Sequence, residues 1–215
     1  GYPPEDLVLK PAFLKACLHA VEQLAADTAD GGPGVIVGFP RQGQKGRHNS
    51  VAILDGGKIL GFRDKIDLPN YGEFDEKRVF VEGEMPGPVN FRGVRIGVPI
   101  CEEIWNDLGV CETLAETGAE ILLVPNGSPY YRGKVDVRHQ VALRQVIESG
   151  LPLIVHTRDA DDATMDLVET EMAAGAFTGV IHCYSSSRRL AERAVALGLY
   201  LGIGGILTFK KSDEL

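Results

Sequence analysis

Val94-Arg95-Ile96-Gly97-Val98-Pro99-Ile100-Cys101-Glu102-Glu103-Ile104-Trp105 is a mostly apolar, β-branched run that stops at a cysteine. The run reads as a buried strand, and Glu102, Glu103 and the apolar pair after them read as the first turn of a helix. A sharp strand-to-helix turn would hold the sulfur out of the sheet, near the positive end of a helix dipole. Such a place favours thiolate over thiol. On this stretch alone two readings stay open: a nucleophile, and an inert half-buried cysteine of the kind most lone cysteines are.

Upstream, residues 11–28 carry apolar positions at helical spacing (Phe13, Leu14, Cys17, Leu18, Val21, Leu24), with Pro11 tolerable in a first turn. Val35 to Phe39 reads as a buried strand. Ser50 to Leu54 and Lys58 to Phe62, joined by Asp55-Gly56-Gly57, read as a hairpin. Residues 63–88 then form a long loop rich in charge and aromatic rings, of the length that is functional or disordered in compact domains; its rings and its Leu68-Pro69 favour order. Downstream, helices are expected over 110–118 and 134–149, strands over 119–124 and 151–155, and the turn from Pro125 to Tyr130 follows a strand end, where α/β folds place ligand contacts. From residue 156 the rhythm is helix 161–174, strand 179–183, helix 187–198 and strand 199–203, with polar residues at strand C-termini.

Composition narrows the classes. A chain of 215 residues that is 44% hydrophobic and 24% charged has the balance of an ordinary globular protein and can bury one large core or two small ones. Its net charge of −8, with acids in excess in both parts, provides no basic stripe for bulk attraction to nucleic acid. Cys17, Cys101, Cys111 and Cys183 show no paired spacing, so the expected setting is a reducing cytoplasm. No apolar run has the length of a membrane span and no signal peptide is recognised. The opening Gly1-Tyr2-Pro3-Pro4 lacks an initiator methionine and reads as a truncated start.

Lys65 in DKIDLPNYGEFDEKRVF, Cys101 in GVPICEEIW, and NGSPY together resemble the nitrilase (carbon–nitrogen hydrolase) superfamily. GYPPEDLVLKPAFL and AETGAEILLVPNGSPYYRGK are similar to one branch of it, the glutamine-hydrolysing domain of glutamine-dependent NAD synthetases. The resemblance covers residues 1 to about 154. It implies an α-β-β-α sandwich and amide hydrolysis through a Glu-Lys-Cys triad, without a cofactor. Cys101 would form a thioester on the side-chain amide of glutamine and release ammonia, with Lys65 stabilising the oxyanion and Glu76 supporting the lysine. Tyr2, Tyr71 and Ser128 would line the glutamine pocket, although for Tyr71 a packed loop aromatic is an equal reading, and Trp105 would form a pocket wall. A separate synthetase domain would receive the ammonia; no pyrophosphate-binding Ser-Gly-Gly-x-Asp-Ser-like loop occurs in this chain. The family's general-base glutamate precedes the Gly-Tyr-Pro-Pro segment, so this chain is expected to start after it. Acid–base catalysis of roughly 10²–10⁴-fold would then be lost.

From Gly150 onward, GLPLIVHTRDADD and GVIHCYSSSRRLAERAVALGLYLGIGGILTFK resemble a fragment of the TatD family of metal-dependent deoxyribonucleases, which are (β/α) barrel hydrolases. His156 and His182 match two of its metal-ligand histidines, each at a strand C-terminus, and would take zinc or magnesium. That family's opening His-x-His, bridging glutamate and late aspartate find no match, and two histidines rarely complete a two-metal site. The expectation is therefore a chimera: a nitrilase-like glutaminase domain over 1–150, then a TIM-type barrel fragment over 151–215. The alternatives are a metal-dependent deoxyribonuclease, for which alone nucleic acid would be a partner, and an inactive fragment. A homo-oligomer is expected.

Overall fold

The computed structural model describes residues 5–72, 74–105, 107–127, 134–152, 154–156, 161–175, 180–184 and 188–203. The chain divides into two compact units, Gly1–Lys134 and Val135–Leu215.

In the first unit, helix α1 (Pro11–Asp27) begins with proline, whose missing N–H costs nothing at a helix start. It covers one face of an antiparallel sheet of β1 (Val35–Gln42), β2 (Arg47–Asp55) and β3 (Lys58–Asp64), in the order β1-β2-β3. Strand β2 is central, and its alternation divides two cores. Ala52 and Leu54 pack with Val21 and Ala25 of α1, whereas Val51 and Ile53 pack with Ile96, Val98 and Ile100.

Ile96 belongs to the second sheet, formed by β4 (Val89–Phe91), β5 (Val94–Gly97) and β6 (Ile121–Leu122), and Val98 and Ile100 lie on the segment that continues from β5. Strands β4 and β5 pair antiparallel and β5 and β6 parallel. On its far side this sheet meets helix α3 (Val110–Glu116). A Cβ on Gly97 would stand 3.2 Å from Leu114 of that helix and 2.8 Å from Leu122, so a larger residue there would make these leucine side chains shift. The layers are thus helix, sheet, sheet, helix, with mixed α/β content throughout.

Two expectations change here. The strand leading to the cysteine leaves its ladder at Gly97, three residues before the expected end, because Pro99 has no N–H to contribute. The long loop also holds a short helix, α2 (Glu76–Val79).

The second unit takes in helix α4 (Lys134–Ser149), whose end is sealed by Gly150 at φ +67° donating to Val146 O. Beyond it, β7 (Ile154–His156), α5 (Asp161–Ala174), β8 (Val180–Tyr184), α6 (Arg188–Ala196) and β9 (Tyr200–Ile203) alternate, and the three strands form a parallel sheet in chain order. Met165, Val168, Leu190, Ala194 and Leu199 make its core.

Candidate active site

Strand β3 ends at Asp64, and the next residue, Lys65, is 1% exposed. Its backbone N–H donates to Asn49 O of β2, and its carbonyl accepts from Gly83 N. Gly83 passes so close that a Cβ there would lie 2.3 Å from Asp64 O. Between these two attachments the backbone of Lys65 has little freedom. A buried ammonium needs an anion, and Glu76 provides it: Lys65 Nζ lies 3.0 Å from each carboxylate oxygen. Glu76 is 7% exposed and is placed by α2, where its own N–H donates to Pro69 O. Asn49 Nδ2 donates to the same carboxylate at 3.3 Å.

Cys101 follows β5 at a corner with φ +47°, a left-handed conformation rare for residues other than glycine. Its N–H donates to Pro125 O, which ties the corner to the segment after β6. The thiol donates to Asn126 Oδ1 at 3.0 Å. Burial pushes the thiol pKa up; a hydrogen bond from the Gly127 N–H and the charge of Lys65 act against this without cancelling it. The expected preference for thiolate is therefore corrected. The element after the cysteine is one turn of 3₁₀ helix, Cys101–Ile104, too short for a strong dipole, and desolvation dominates.

Lys65, Glu76 and Cys101 line one cavity of about 480 Å³, together with Phe74, Asn126 and Gly127 among others. That size suits a small metabolite. Trp105, expected as a wall, is not among the described residues that line it. Tyr71 is 56% exposed; its hydroxyl donates to Glu102 at 2.6 Å, and its ring meets Phe74 edge-on. Asp67 lies close by, its pKa raised by burial and then by the charge of Glu102. Tyr2 and Ser128 lie outside the described residues.

Sequence reasoning passed over Asn49, Asn126 and Glu103. Asn126 could have been drawn from the strand-end turn already marked out. Asn49, inside a strand, gave no local signal.

In the second unit, His156 and His182 are register partners on the parallel strands β7 and β8. Among the described residues no group of three or more His, Cys, Asp and Glu gathers to hold a metal ion. A divalent ion takes about four or more ligands, so two histidines do not fit that requirement. No helix among the described residues is long and apolar enough to cross a membrane.

Residues 108–215 match the family of TatD related DNases. Over that half of its length the chain belongs to that family. Its first 154 or so residues match the nitrilase-like domain of glutamine-dependent NAD synthetases. The synthetase of Rhodobacter capsulatus is 44% identical over 154 residues, which are 72% of this chain and 28% of that protein. The synthetase of Aquifex aeolicus is 41% identical over 134 residues, 62% of this chain and 24% of that protein. The chain thus spans less than a third of these relatives' length, and its two matches share residues. Among solved structures, the glutamine-dependent NAD+ synthetase of Acinetobacter baumannii aligns with a TM-score of 0.63 at 22% identity, over 95% of this chain and 56% of that one. An amidase from Nesterenkonia sp. aligns at 0.58 and 23%, over 71% and 57%. These two likenesses establish the nitrilase-like fold.

Proposed function

We propose that the first unit is a carbon–nitrogen hydrolase acting on the side-chain amide of glutamine. The observation that carries this reading is the exposure of a strained-corner cysteine, Cys101, to the same cavity as a buried lysine–carboxylate pair. Cys101 Sγ attacks the amide carbon, and the carbonyl π electrons move onto oxygen. The Lys65 ammonium, held by Glu76, stabilises that oxyanion. Collapse expels ammonia, which takes up the proton given up by the thiol, and leaves a thioester. Water then attacks the thioester, glutamate departs and the thiol is restored. Asn126 Oδ1 is too weakly basic to carry the thiol proton, and Glu76 is engaged by Lys65 and Asn49. In the family that the chain resembles, that task falls to a general-base glutamate.

The same reading assigns Tyr2, Tyr71 and Ser128 to glutamine binding and sends the ammonia to a separate synthetase domain. It also takes the protein to be cytoplasmic and homo-oligomeric, and needs no cofactor. In this reading the nitrilase-like domain fills 1–150, and 151–215 is a fragment of a TIM-type barrel. A glutamine-mimicking chloroketone tests it: mass spectrometry should find one adduct on Cys101, suppressed by excess glutamine and absent from Cys101→Ala. A folded sample with no adduct would sink the reading.

The match over 108–215 and the His156–His182 register favour a second reading, metal-dependent DNA hydrolysis by the second unit. We derive no step through a metal from two histidines. Zinc titration checks it: stoichiometric binding lost in His156→Ala would support this reading, and a metal-free protein would remove it.

A further inference from the structure

Glu103 is 1% exposed, next to the reaction and absent from the mechanism above. Its carboxylate faces three donors. Oε2 accepts from the N–H of Ile100, the residue before the nucleophile, at 2.6 Å. Oε1 accepts from the N–H of Ile66, the residue after Lys65, at 2.7 Å. The guanidinium of Arg63, two residues before Lys65, closes an ion pair on Oε2 and also donates to the carbonyl of Asp64. One side chain therefore grips the backbone just before the cysteine and just after the lysine, and through the Arg63 guanidinium it reaches the Asp64 carbonyl just before the lysine. Both charges are more than nine-tenths buried, and the arrangement leaves each carboxylate oxygen occupied.

We propose that Glu103 is a positioning residue for the Cys101–Lys65 pair, fixing the spacing between sulfur and ammonium through the Ile100 and Ile66 amides. The inference rests on the amidohydrolase reading for its purpose, but not for its test. A carboxylate offers acceptors to both amides at once; a carboxamide offers one oxygen, and turns a donor toward the other N–H. Loss of one grip lets the corner and the strand end drift apart, and the influence of the Lys65 charge on the sulfur weakens.

The test is the rate of Cys101 alkylation by iodoacetamide against pH, on full-length protein shown to be folded by its thermal transition. Glu103→Gln should move the titration midpoint of the sulfur upward by about one unit, a roughly tenfold slower reaction at pH 7. In a Lys65→Met background the same substitution should change nothing further, because the charge it positions is gone. Glu103→Asp keeps the charge facing Arg63 with one methylene less reach; it should move the midpoint in the same direction by less, and it serves if the Gln variant does not fold. An unchanged midpoint in a folded variant, or an equal shift with and without Lys65, overturns the proposal. Because alkylation needs no glutamine, a protein that fails to hydrolyse glutamine yet shows the coupled shift would reject the substrate reading and keep the positioning role.

Discussion

Lys65 Nζ sits 3.0 Å from both oxygens of the Glu76 carboxylate, and the two side chains are almost wholly removed from solvent. Neither charge tolerates the loss of the other. Glu76→Gln leaves an ammonium buried without a counter-charge, which costs about 3–5 kcal/mol. Urea unfolding should show that loss. Where the variant still folds, glutamine hydrolysis should fall by roughly 10²-fold through misplacement of the oxyanion partner.

The corner at Cys101 makes a prediction independent of substrate. At φ +47° an alanine keeps the left-handed strain, whereas a glycine does not. Cys101→Gly should be more stable than Cys101→Ala by about 1 kcal/mol, despite the greater freedom of its unfolded chain. Equal stabilities in denaturant titrations would mean that the corner is relaxed.

The sulfur has a predictable pH response. Burial holds its pKa above that of an ordinary thiol, so alkylation should be slow at pH 7 and climb steadily through pH 9. Lys65 opposes the shift, so Lys65→Met should push the midpoint higher still. A midpoint that fell in that variant would contradict the electrostatics.

Asp64 couples the fold to acid. Burial tends to raise its pKa, but hydrogen bonds from Arg41 and Ser50, with the charges of Arg41 and His48, outweigh this and hold the carboxyl below its usual range. The stabilisation is present above the unfolded value of about 3.9 and is lost as pH falls through the lower folded value. Asp64→Asn should therefore be less stable than the wild type at pH 7, with the gap closing below about pH 4. Parallel urea titrations from pH 2.5 to 7 would measure it.

Much of this was legible in order of residues. Helical spacing located α1 closely, α4 and α5 fall where helices were expected, and the Gly56-Gly57 turn located the β2–β3 hairpin. Motif resemblance pointed to Lys65, Glu76 and Cys101, which the structure brings to one cavity. Strand β4 escaped because three residues give no period. Helix α2 escaped because four residues within a charged loop give none either. Glu103 looked like an acidic residue of a helical first turn, and only the folded chain shows that its partners lie 37 and 40 residues away. The thiol's pKa was misjudged for a related reason: a local pattern suggests a dipole but says nothing of desolvation.

That Glu76 follows Lys65 by only eleven positions also bears on the order of assembly. Closing a loop of that size takes about 10–100 ns, well before hairpins form in about 1–10 μs. The ammonium can thus meet its counter-ion while the chain is still open and wet, and enter the interior already neutralised. Arg63 must wait for a carboxylate forty residues downstream, in the 3₁₀ turn that follows β5. The contact that secures the cysteine is then a late event on the route to the native state, so substitutions at Glu103 would quicken unfolding far more than they slow refolding.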